Sequence, residues 1–109
     1  MQYRHRLFVA LTFIMSFATG STMALDSYDA AEQLANVLAS EQICNLTFDQ
    51  DAIEAWIEAN VAADDMEFSG NLTGSMSLSE YMLDEMPPSA QTAHCAQVRR
   101  VSKSFGFTK

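Results

Sequence analysis

From Asp26 onward, apolar residues recur at three- and four-residue steps, the period of an amphipathic helix. Ala30, Ala31, Leu34, Val37 and Leu38 make the first stripe. It predicts a helix capped by Asp26 or Ser27 and running to about Glu41, with Cys44 at or just past its end. Ile53, Trp56, Ile57 and Val61 make a second stripe, with Asp51, Glu54 and Glu58 largely on the wet side. Two starts compete for this second helix, which fades between Asn60 and Ala63. Thr47 with Gln50 can form a capping box, or Asp49 can cap, in which case Phe48 and Ile53 make a hydrophobic staple.

The third segment is less regular. Phe68, Leu72, Met76, Ser79, Leu83 and Met86 keep the helical rhythm, but Gly70 and Gly74 weaken it by about 1 kcal/mol each relative to Ala. The expected compromise is a loop or turn over 64–71, then a helix from Thr73 or Ser77 to Met86, stopped by Pro87-Pro88. Ser89 is then expected to cap a last helix ending at Phe105, with His94, Val98, Val101 and Phe105 along one side. Gly106 fits a helix C-cap, and Phe107 fits the apolar residue that often follows one. No strand pattern competes. The expected fold class is all-α, a small bundle of three or four helices.

The front of the chain has a different pattern. Arg4, His5 and Arg6 precede an apolar run over 7–17, and Thr22-Met23-Ala24 supplies small residues after a break at Gly20. This is the layout of a secretory signal, with cleavage expected after Ala24 and cleavage after Ala18 or Gly20 as alternatives. The run falls short of the about 20 apolar residues that span a bilayer, so no lasting membrane anchor is expected. The organisation expected is a signal peptide over 1–24 and a single helical domain over 25–109, in the periplasm or secreted.

Cys44 and Cys95 are the only cysteines, and both lie behind the signal. In an exported protein, two cysteines most simply form one intramolecular disulfide. Redox-active pairs usually sit close together, as in Cys-x-x-Cys, and these are far apart.

The charge is lopsided. The domain carries all 14 acidic side chains, and its basic ones, Arg99, Arg100, Lys103 and Lys109, are confined to its last residues. Such a body disfavours nucleic acid and anionic membrane surfaces as partners. Arg99, Arg100 and Lys103 suit the negative end of a helix dipole. They are also a candidate docking patch for an acidic partner.

Candidate chemistry is thin. His94, Cys44 and Cys95 fall short of the four ligands of structural zinc, and a disulfide would consume two of them, so no metal is expected. Asp49-Gln50-Asp51 opens like a calcium loop, but Ile53, Glu54 and Asn60 stand where the loop needs other residues. No nucleophile elbow, phosphate loop or dinucleotide fingerprint occurs, and neither catalytic residues nor a cofactor are expected. Asn45-Leu46-Thr47 and Asn71-Leu72-Thr73 are glycosylation sequons that matter only in a eukaryotic secretory route. Met66, Phe68, Met76, Tyr81, Met82 and Met86 are a candidate apolar groove for a protein or peptide, with core filling as the plainer use.

The run from Ala93 to Val101, with Asn60 to Asp65 before it, resembles a group of small uncharacterised secreted bacterial proteins, a resemblance that implies no catalytic residues. In architecture alone, the chain is similar to periplasmic acid-stress chaperones of the HdeA type, which are small, helical and exported with one disulfide. That similarity implies a switch in which low pH removes the carboxylate charge. The function expected first is a non-catalytic protein- or peptide-binding domain. An acid-responsive chaperone comes second, and a small redox factor or enzyme third.

Overall fold

The computed structural model describes residues 26–109; the signal expected over 1–24 lies outside the described residues. Four helices follow in order: α1 (Ser27–Leu38), α2 (Gln50–Asn60), α3 (Phe68–Asp84) and α4 (Pro88–Ser104). Among the described residues there is no strand. The all-α expectation is met.

Asp26 starts α1, its Oδ1 accepting from the Tyr28 amide. The helix is central because its inner face is both apolar and small. Ala30, Ala31, Leu34 and Ala35 have no exposed surface. Alanine holds no side chain away from the axis, so a neighbour can approach closely, and α3 lies along α1 while α4 touches it more lightly.

α1 ends at Leu38, before the Glu41 expected from periodicity, and the chain tightens into turns over 39–45. The Ser40 and Glu41 amides donate to carbonyls only three residues back, Val37 and Leu38. These turns close on Asn45, which holds a positive φ of 55°. The Leu46 amide donates to the Glu41 carbonyl and the Asn45 amide to the Gln42 carbonyl. That is the Schellman pattern, with asparagine tolerating the left-handed position.

Of the two candidate starts for α2, Asp49 is the one used. Its Oδ1 accepts from the Asp51 and Ala52 amides. Phe48 and Ile53 both belong to the core cluster, as a staple requires. No residue of α2 is fully buried. The helix is held by half-buried Ile53, Trp56, Ile57 and Val61 against that cluster.

α3 begins earlier than expected, at Phe68, and both Gly70 and Gly74 lie inside it. Phe68 explains the difference. Its ring is buried in the common core, so extending the helix back to it gains burial that offsets two glycine penalties. Neither glycine touches anything that a Cβ would meet, and both are exposed. Gly70→Ala and Gly74→Ala should therefore each stabilise the domain by about 0.5–1 kcal/mol. Urea titration of the two single variants checks this; a loss of stability in either would mean that the glycine is needed in the fold.

α4 begins at Pro88, with Pro87 at the cap position and Ser89 inside the first turn, not capping it. Proline suits the first helical position, where a missing amide hydrogen costs nothing. At the other end the Gly106 prediction holds. Gly106 has φ 80°, the Phe107 amide donates to Ser102 and the Gly106 amide to Lys103, a second Schellman closure. Phe107 turns back into the core. Its carbonyl accepts from the Asp49 amide, which ties the end of α4 to the start of α2.

Cys44 and Cys95 form a disulfide with Cα atoms 5.2 Å apart. It joins the turns after α1 to the middle of α4, and both residues are buried. Hydrogen bonds satisfy the two fully buried serines: Ser40 Oγ donates to the Asn36 carbonyl and Ser102 Oγ to the Val98 carbonyl.

Candidate functional site

α3 carries two apolar stripes. Phe68, Leu72 and Leu83 face inward, and Phe68 and Leu83 are buried. Leu78, Tyr81 and Met82 stand at i, i+3 and i+4, so they share a different face. They are 61%, 66% and 57% exposed. Isolated apolar residues on a surface are ordinary, but three adjoining large ones on one helix are a patch.

The patch runs into a cleft of about 330 Å³. Met82, Leu83 and Met86 line it from α3 and the segment just after, Asn36 from α1 and His94 from α4. Ser79 Oγ donates to Asn36 Oδ1 at 3.0 Å and pins α3 to α1 along its edge. His94 Nε2 lies 2.7 Å from Ser40 Oγ. The Ser40 hydroxyl already gives its one hydrogen to the Asn36 carbonyl. His94 must therefore donate from Nε2, which sets the tautomer of the neutral ring. His94 thus braces α4 against the end of α1 and walls the cleft.

The six residues expected to share one groove are spread over separate places. Phe68 is in the core. Met66 precedes α3 and is 87% exposed. Met76 faces the other edge of α3, in a cleft of about 360 Å³ floored by Leu38, Ile43 and Leu83 and rimmed by Glu41, Glu80 and Asp84. Tyr81, Met82 and Met86 remain, and the structure adds Leu78 and His94 to them. Leu78 was legible: it stands three before Tyr81 and four before Met82, a second helical series out of phase with the first.

The basic cluster is divided as well. Arg99 Nη2 donates to the Cys44 carbonyl at 3.2 Å, so this cation fastens α4 to the turn that bears the disulfide. Arg100 and Lys103 are exposed, and Lys103 lies in the last turn of α4, where a cation meets the negative helix end. Of the two sequons, Asn45 is exposed in its turn and Asn71 is half-buried within α3. Among the described residues no group of three or more His, Cys, Asp or Glu is placed to hold a metal ion. None of the described helices is long and apolar enough to cross a membrane.

Fold and site together define a small all-α domain with one long-range disulfide, which is consistent with an oxidising compartment. No family model, curated protein or solved structure matches the chain.

Proposed function

We propose that this chain is an exported, non-catalytic helical domain that works by binding a protein or peptide. The supporting observation is the exposed patch Leu78, Tyr81 and Met82 beside the cleft at Met86 and His94. Keeping large apolar side chains in water forgoes burial, and a partner surface recovers it. Methionine adds tolerance, since its flexible thioether conforms to varied shapes. The residues most suited to chemistry have structural employment. Both cysteine sulfurs are bonded to each other, and His94 is occupied with Ser40. The basic and apolar leader over 1–24 supports export to the periplasm or the outside, and the disulfide is consistent with an oxidising compartment there.

A displayed random-peptide library tests this reading. The oxidised domain should retain a defined set of peptides, and a Leu78→Ser, Met82→Ser double variant should retain none of them. Both side chains are mostly exposed, so the variant keeps its fold, which circular dichroism checks. An identical set from both proteins, or no set from either, removes the proposal.

A further inference from the structure

We propose that the α3 patch receives a basic amphipathic helix of a partner protein. This rests on the binding reading above and names the chemistry of the partner.

Leu78, Tyr81 and Met82 form a ridge with helical spacing, and Met86 carries it on toward the cleft. A ridge of this kind packs against the groove of another helix, whose own anchors recur at three- and four-residue steps.

Charge decides what flanks those anchors. Glu85 follows Tyr81 by four residues and Met82 by three, so it borders the ridge directly. Glu32 lies one turn before Asn36 on α1, while Glu80 and Asp84 rim the cleft on the other edge of α3 and add only to the overall negative charge of the helix; all four are exposed. Across 26–98 the chain has no Lys or Arg to offset them. The nearest cation in sequence, Arg99, is engaged with the Cys44 carbonyl. The patch is thus an apolar surface with a negative border, which attracts a partner of opposite sign and repels acidic ones. A second copy fits poorly for the same reason. Setting α3 against α3 would bring two acidic borders together.

The test uses the oxidised domain and two synthetic helical peptides with the same leucine face. One carries lysine on its polar face and the other glutamate. Calorimetry should show binding of the lysine peptide, with the glutamate peptide weaker by about tenfold or more, and a loss of binding in high salt. Leu78→Ser with Met82→Ser should abolish the interaction. Glu32→Gln with Glu85→Gln should weaken it while leaving the fold intact, since both are exposed.

Equal binding of both peptides, lost in the Leu78→Ser, Met82→Ser variant, would overturn the basic partner and leave the binding reading standing. Lysine-peptide binding that the apolar variant does not change would overturn the site itself, as diffuse charge attraction. A dimer in sedimentation velocity that this variant dissociates would make a second copy the occupant and overturn the proposal. Failure of both peptides would also overturn it, and the library experiment then decides the broader reading separately.

Discussion

Replacing Cys44 and Cys95 together with alanine should lower the stability of the domain by about 4 kcal/mol. The cysteines are 51 residues apart in sequence, so the bond forbids the unfolded chain a large set of open conformations. Native domains are stable by only about 5–15 kcal/mol, and small ones lie low in that range. The loss is therefore comparable with the whole margin. The bond also joins the turns after α1 to α4, while α1 itself packs only lightly on α4. Urea unfolding of the oxidised protein, the reduced protein and the double variant measures the effect. The reduced and double-variant midpoints should agree and lie far below the oxidised one. A shift below about 1 kcal/mol would show that native strain or denatured-state structure cancels the constraint.

Phe107→Ala should cost about 3–5 kcal/mol, although the residue stands only two places from the last in the sequence. Phe107 is only 1% exposed and is among the largest fully buried side chains. Its ring lies 5.7 Å from that of Phe48 and 5.5 Å from that of Phe105, and Phe105 in turn meets Trp56 at 5.6 Å. These aromatic contacts hold α2, which has no fully buried residue of its own. The variant should therefore lose order in α2 first, seen as faster amide exchange over Gln50–Asn60 than over α1. Phe107→Leu keeps most of the volume and should recover much of the loss. A Phe107→Ala protein as stable as the parent would mean that the aromatic cluster is dispensable.

The helical architecture was legible because its signals are local. Stripes of apolar residues, Asp49 before α2, Pro87-Pro88 after α3 and Gly106 past α4 each act within a few residues of themselves; the first turn of α4 was missed, because Pro88 and not a Ser89 cap begins it. The start of α3 was not legible in this way. Local propensity at Gly70 and Gly74 argued for a loop, and the burial of Phe68 against residues far away in sequence outweighed it. The same limit applies to the candidate site. Leu78, Tyr81 and Met82 have the spacing of a core stripe, as Phe68, Leu72 and Leu83 do, and the letters alone do not rank them.

By itself, then, the sequence determined the four helical segments, the Gly106 stop of α4, the disulfide pair and the acidic character of the domain. Those depend on backbone preference, residue type and cysteine number, all of which are readable position by position. Only the tertiary structure decided which apolar face of α3 meets α1 and which is left to water, and that His94 and Arg99 serve as braces. Such outcomes depend on which distant side chains arrive together, and a helix with two apolar faces can bury only one of them against a single neighbour.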